Sequence, residues 1–439
     1  MRAIWLGLAL AALGTNAVQA DELTGDALLE AANAEITNID KEALQALIAS
    51  EPDHVVIDVR TRNEIDHTGG QIRSSETLNI PRGWIEFEVP GEIPDKDTPI
   101  VVYCGQNLRS VAAAQTLQQM GYTNVHNYPG GFFEWKDAGL PLYVLDKARD
   151  SFLYDRPQEV TDGVWSAIGA TQPSTYENSG HNNNLSFIIT DDGVVVMNAG
   201  DNYLLAKSLH QEIRKLTDQP VKYVVLENAQ GHAMLGMTYW QEQGATVIAH
   251  QDAWREIEAN GQASLEGAAN RTRDKAFMTE LGTPDVTFAT RLDLEMGGET
   301  IQIRYLGPGH APGDIAIWAP ARKALITGDL AFHQRMLPIF EYTDTAGWID
   351  TWHKLEALDA DYIIPGHGEP VNDFEVLRRY THDYLVYLRE EVQRIIDEGG
   401  TLTEAYNIDQ SAYRHLDTYG ELHRQNVGRV FRAMEFEAF

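Results

Sequence analysis

The sequence predicts an α/β protein of two domains with a helical C-terminal extension. Three observations predict it. Strand-like and helix-like patterns alternate from Ile36 to about Leu145, and a second alternation runs on to about residue 372. A charged connection over residues 146–160, ending near Pro157, separates the two. At 439 residues the chain is too long for one ordinary core. With 43% hydrophobic and 23% charged residues the composition is that of a globular protein. The formal charge of −31 makes a surface that repels nucleic acid and anionic lipid and suits solubility.

The elements follow in chain order. Arg2 gives a short positive start, and Ala3 to Leu13 is apolar but too short to span a membrane. Val18-Gln19-Ala20 then offers a small-residue cleavage site before Asp21-Glu22. This pattern predicts a signal peptide over residues 1–20 and an exported, periplasmic protein. No cysteine stands directly after the cleavage site to carry a lipid anchor, and no later run of eighteen apolar residues predicts membrane insertion. Residues 21–35 read as a polar, helix-prone leader.

The first domain is predicted over 36–145, with a parallel sheet flanked by helices. Val55–Val59 and Ile100–Tyr103 read as buried parallel strands, and Ser110–Met120 has helical apolar spacing that stops at Gly121. The second domain is predicted over 146–372. Leu185–Thr190 and Val194–Asn198 flank the hairpin signal Asp191-Asp192-Gly193. Residues 221–226, 245–249, 301–305, 315–318, 324–327 and 362–364 read as further strands, with helices over 204–216 and 349–358. Residues 373–439 read as helical with a break at Gly399-Gly400, an extension that covers the domain or makes a homodimer contact.

Cys104 is the single cysteine of the chain, so it forms no internal disulfide. It sits between a strand and a helix, in Cys104-Gly105-Gln106-Asn107-Leu108-Arg109-Ser110. Backbone N–H groups at such a turn can converge on one atom and lower a thiol's pKa. Arg109 adds a positive charge for an anionic sulfur donor. A low-pKa thiol, an anion cradle and an exposed loop are what nucleophilic sulfur transfer needs. The alternative is a small buried hydrophobe at a strand end.

Four segments carry the resemblance of this region: Ile57-Asp58-Val59-Arg60 with Glu64, Leu78-Asn79-Ile80-Pro81, the loop from Tyr103 to Ser110, and Gly130-Gly131-Phe132-Phe133-Glu134-Trp135 with Gly139-Leu140-Pro141. Together they resemble the rhodanese family. The resemblance implies that Cys104 carries a persulfide between a small-molecule donor of the thiosulfate type and a thiophilic acceptor. It implies that the amides of Gly105, Gln106, Asn107, Leu108 and Ser110, with Arg109, bind the sulfur group without a cofactor. Asp58 and Arg60 are expected to hold the domain together. Many single-domain members have glycine where Asn107 stands, and asparagine tolerates left-handed geometry better than most residues.

In the second domain His310, Asp329 and His367 each follow a predicted strand, and His232 lies in Glu227-Asn228-Ala229-Gln230-Gly231-His232-Ala233-Met234-Leu235-Gly236. Strand ends on one sheet edge can converge on one ion, and imidazole plus carboxylate suits zinc, iron or manganese. These segments resemble the metallo-β-lactamase superfamily, which implies an αβ/βα sandwich. The family's HxHxDH cluster is altered here. Anchored on Gly236 it becomes Asn228, Gln230, His232 and Ala233; anchored on His232 it becomes Glu227, Ala229, Gly231 and His232. Both alignments remove two histidines from the first metal site. The expectation is one zinc or iron ion at most, on His232, Asp329 and His367, with His310 left from the first site. Fusions of these two folds occur in persulfide-oxidising enzymes whose hydrolase-fold domain binds iron; the rhodanese-first order and the altered cluster set this chain apart.

The sequence therefore supports a sulfurtransferase coupled to a metallohydrolase-like domain. The other reading makes the second domain a metal-free module that binds a small molecule or a partner. His181, His250 and His333 could reach the same mouth, although single histidines of this kind are more often structural. Arg335 and Met336 share the His333 loop.

Overall fold

The computed structural model describes residues 24–50, 53–144 and 146–437. The expected signal peptide lies outside the described residues. The leader forms a helix over Gly25–Glu35, capped by the Thr24 side chain.

The first domain is built on five parallel strands: β1 (Thr37–Asn38), β2 (Val55–Asp58), β3 (Thr77–Asn79), β4 (Ile100–Tyr103) and β5 (Val125–Asn127), in the order β1-β5-β4-β2-β3. The central strands read as continuous apolar runs because both faces are covered. Val55 and Ile57 join Ile100 and Val102 in one core layer, while Val56 joins Val101 and Tyr103 in the other. Helix α1 (Arg109–Gln119) follows β4 after the cysteine loop. A buried ion pair ties the chain just past β2: Arg60 meets Asp58 at 2.5 Å and also donates to Thr68 Oγ1 and Gly70 O.

The second domain is a sandwich of two sheets. One contains β6 (Gln158–Thr161), β7 (Val164–Ala167), β8 (Leu185–Thr190), β9 (Gly193–Met197), β10 (Val221–Leu226), β11 (Thr246–His250) and β12 (Val286–Phe288), laid out in reverse sequence order. The other contains β13 (Arg291–Met296), β14 (Glu299–Arg304), β15 (Ala316–Ala319), β16 (Ala324–Phe332) and β17 (Tyr362–His367), in sequence order. Ile188, Val195 and Val225 of the first sheet meet Ile303, Ile317 and Ile364 of the second. Helices cover the outer faces, among them α2 (Gln251–Thr272) and α3 (Thr345–Glu356).

Two expectations change here. Strand β16 runs five residues beyond Thr327, so Asp329 lies within a strand rather than after one. His367 is likewise the last residue of β17. The β16–β17 ladder shifts register around Gly328, which lets the strands continue while their side chains turn into the site.

The C-terminal extension folds back on its own chain. Helices α4 (His382–Asp397) and α5 (Tyr419–Glu437) pack Leu385, Leu388, Val427 and Phe431 against Phe332, Met336 and Trp348. Asp417, just before α5, binds both domains. Its carboxylate meets Arg73 at 2.8 Å and accepts from Tyr143 Oη at 3.1 Å, both in the first domain. It also accepts from Thr171 Oγ1 of the second. Arg62 and Glu177 make another contact between the domains at 3.2 Å. No described helix is long and apolar enough to cross a membrane.

Candidate functional site

Cys104 leaves the C-terminal end of β4 at the edge where β2, β3 and β5 also end. Its side chain is 1% exposed. The sulfur nevertheless has polar company. Sγ lies 3.5 Å from Ser110 Oγ. Burial resists ionisation, but the Ser110 hydroxyl and the amides of Ser110, Leu108 and Gln106 together draw the thiol below its ordinary pKa. Two residues set this shape. Asn107 takes the left-handed conformation at φ 55° and accepts from Asn127 Nδ2 at 2.8 Å. Gly131 is required by contact: a Cβ there would come 2.6 Å from the carbonyl oxygens of Cys104 and Gly105.

The predicted residues of this loop are not equivalent. Ser110 is buried and touches the sulfur, Leu108 is exposed, and Gly105 backs onto the Phe133 ring. Arg109 already holds an anion of the protein. Its guanidinium grips Glu64 through two hydrogen bonds, 2.7 and 2.6 Å, and pulls that carboxyl down to about 2. Glu64 also closes the capping box of the helix Arg62–Thr68.

In the second domain the loop after β10, the β16–β17 pair and the His310 loop meet at one buried cluster. Asp329 is its centre. His367 Nε2 lies 3.2 Å from Asp329 Oδ1, and His232 Nε2 and His310 Nδ1 each lie 3.5 Å from Oδ2. Asn228 donates to Asp329 and to Asp314, at 3.3 and 3.0 Å. Gln230 Nε2 lies 3.3 Å from His310 Nδ1. Ala229 instead joins the hydrophobic core. Asn228 and Gln230 therefore face the site, which selects the alignment anchored on Gly236.

Glu227 completes the cluster, and it is the residue the sequence reading placed only in the rejected alignment. It is buried, its Oε1 lies 2.9 Å from His232 Nε2, and its amide donates to Asn198 Oδ1. One ligand atom from each of Glu227, His232 and Asp329 lies within 4.8 Å of the others, so these residues form a candidate metal site. Among the described residues Glu227 Oε2 is buried with no hydrogen-bond partner, and Asp329 Oδ1 has only the 3.2 Å contact with His367 Nε2. Buried acceptors so poorly satisfied fit a cation. Gly366 keeps the approach open, because a Cβ there would lie 2.3 Å from Asp329 Oδ1.

The electrostatics divide the histidines. Burial depresses His310 and His367 to about 4. Burial acts on His232 too, but Asp329 and Glu227 outweigh it and lift His232 to about 10. Burial raises Glu227, and Asp329 raises it further. His181 accepts from the Tyr154 amide, His250 caps α2 and stacks on Tyr305, and His333 bonds Glu369 O. None of these three lines the cavity.

Comparison with known proteins agrees with both halves. The family model of the rhodanese-like domain matches residues 40–138, and that of the metallo-beta-lactamase superfamily matches residues 232–367. A sulfurtransferase of Allochromatium vinosum is 36% identical over 107 residues, which is 24% of this chain and 94% of the relative. The chain is a rhodanese-like domain followed by a metallo-beta-lactamase domain. A linear primary-alkylsulfatase of Pseudomonas sp. is 24% identical over 279 residues, 54% of this chain. The match spans 52% of that relative's length. A metallo-beta-lactamase from Pontibacter korlensis has 23% identity and a TM-score of 0.44, over 52% of this chain and 98% of that one. The matched residues of the metallo-beta-lactamase domain begin at His232, so Asn228 and Gln230 lie just ahead of them.

Proposed function

We propose that the chain is an exported sulfurtransferase that carries sulfur as a Cys104 persulfide, with a hydrolase-like site in its metallo-beta-lactamase domain. The observation that supports the first half is the set of donors aimed at the Cys104 sulfur. The thiolate attacks the outer sulfur of thiosulfate. The thiosulfate S–S bond breaks, sulfite leaves with the bonding pair, and Cys104 holds a persulfide. An acceptor such as cyanide or a thiolate then attacks the outer sulfur, and Cys104 leaves as the thiolate. The converging donors stabilise the thiolate before the first step and after the second. Incubation with thiosulfate should add one sulfur to Cys104 by mass spectrometry, and Cys104→Ser should abolish thiocyanate formation from cyanide. A mutant rate equal to the wild-type rate would refute the assignment. Export is tested by the mature N-terminus, expected at Asp21 in a periplasmic fraction.

For the second domain we propose one zinc or iron ion held by His232, Asp329, His367 and Glu227. Such an ion supplies Lewis acidity and an activated water. The chain's part is to bury the donors, to orient Asp329 through the Asn228 amide, and to fix His367 through its 2.5 Å contact with Asn182 O. The second reading is a metal-free binding module. The 2.9 Å contact between His232 and Glu227 favours it, because an imidazolium there already answers the carboxylates. Elemental analysis of protein purified without added metal separates the two.

A further inference from the structure

The cavity above the Asp329 cluster has a wall that neither the sulfur chemistry nor the metal ligands use. Its volume is about 380 Å³. Arginines from three separate elements line it: Arg271 on α2, Arg335 after β16 and Arg429 on α5. In a chain of formal charge −31 this concentration of guanidinium groups is unexpected.

Arg335 is the informative one. Its side chain is 7% exposed, and among the described residues no carboxylate forms an ion pair with it. Among the described residues its Nε has no hydrogen-bond partner, and its Nη1 lies 3.3 Å from His367 Nδ1. That nitrogen already faces Asn182 O. Asp329, Asp417 and Glu421 attract the guanidinium from beyond ion-pair distance and do not hydrogen-bond it, so its donors stay open to an anion that enters the cavity. Among the described residues Arg429 has no ion pair either; it donates to Ile339 O and lies 5.5 Å from the Phe340 ring centroid. Arg271 stands 3.9 Å from Asp201 at the more exposed rim. Asp329 and Glu421 also face the cavity. Asp329 is engaged by the histidines and Asn228, as described above.

We propose that this wall binds a small organic oxoanion of the sulfonate or sulfate type. The head sits at Arg335 and Arg429, and the carbon body lies against Pro338, Phe340 and Leu422. Guanidinium groups from several directions suit a head with three terminal oxygens better than a planar carboxylate, which one fork satisfies. The cavity is larger than an inorganic anion needs, and its apolar lining accounts for the remaining space. This inference goes beyond the proposed sulfur transfer and does not depend on Cys104 or on a bound metal.

Calorimetric titration of the full chain with sodium 1-butanesulfonate, sodium sulfate and sodium butanoate tests it. One saturable site for butanesulfonate is expected, with weaker binding of sulfate and of butanoate. Arg335→Met and Arg429→Met should each weaken butanesulfonate by about tenfold or more, given the strength of hydrogen bonds to charged groups. Arg335→Lys should recover part of the loss. Cys104→Ser should bind as the wild type does, so this inference and the sulfur-transfer reading can fail separately. Binding should also survive removal of metal by a chelator. The proposal is overturned by absence of saturable binding, by butanoate or sulfate binding as tightly as butanesulfonate, or by loss of binding on chelation. Unchanged affinity in Arg335→Met overturns it as well. Should that variant not fold, unchanged affinity in both Arg429→Met and the rim variant Arg271→Gln does the same.

Discussion

Ser110 Oγ sits 3.5 Å from Cys104 Sγ, at the start of the helix that the cysteine loop feeds. The hydroxyl lowers the thiol's pKa together with three backbone amides, so the thiol should react as a thiolate at lower pH than a free cysteine. The midpoint of a pH profile of iodoacetamide alkylation should fall below the ordinary thiol value, and Ser110→Ala should move it upward. A folded-state pKa below the unfolded one also means that this group stabilises the fold at high pH. That contribution is lost as pH falls through the folded value. A midpoint unmoved by Ser110→Ala would show that the hydroxyl plays no part.

Glu64 and Arg109 hold each other through two hydrogen bonds at the rim of the same loop. Glu64→Gln removes the charge that occupies Arg109 and frees the guanidinium for an incoming dianion. The KM for thiosulfate should fall by about twofold or more, more clearly at low salt. The pair is partly exposed, so its stability contribution is small, of order 1 kcal/mol at most.

Arg60→Met leaves the Asp58 carboxylate buried without its partner. Breaking a buried pair from one side costs about 3–5 kcal/mol. Thermal unfolding followed by calorimetry should show the first domain melting well below its wild-type temperature.

His367 and His310 differ in what holds them. His367 turns Nε2 to Asp329, while His310 Nδ1 has the Gln230 amide beside it. His367→Ala should lower metal content to near zero by elemental analysis, and His310→Ala should leave most of it. Equal loss in both would show that His310 holds the ion as well.

Much of the fold was legible. Strands β2 and β4 read as continuous β-branched runs because they are covered on both faces, and a lone cysteine after such a strand marked the first site. Strand β13 was not seen. Its residues Arg291, Asp293 and Glu295 alternate with Leu292, Leu294 and Met296 at the sheet edge, and the charges hide a weak period of two. The 22-residue helix α2 was missed because its apolar positions are few and Gly261 interrupts them. In the second site His310, Asp329 and His367 could be named from strand ends and His232 from the altered cluster, but Glu227 appeared only in the alignment anchored on His232. In the alignment anchored on Gly236 a glutamate just after a strand matches no cluster position, and only the chain's path toward His232 gives it a role. Arg335 likewise became informative only when its missing partner was visible.

Asp417 predicts its own test. Asp417→Asn weakens the tie to Arg73, Tyr143 and Thr171 together. Calorimetry should then separate the unfolding of the two domains more widely than in the wild type. A single unchanged transition would show that the domains are coupled by other contacts.

The position of that carboxylate along the chain has a consequence for biogenesis. Residues 36–145 are complete long before Asp417 is, so the first domain can form its own core while the clasp between the domains, and the packing of α5 on Phe332, Met336 and Trp348, are still unmade. Final docking is then the last step of maturation, and a nascent chain stalled before residue 417 should expose both faces of the seam to a protease.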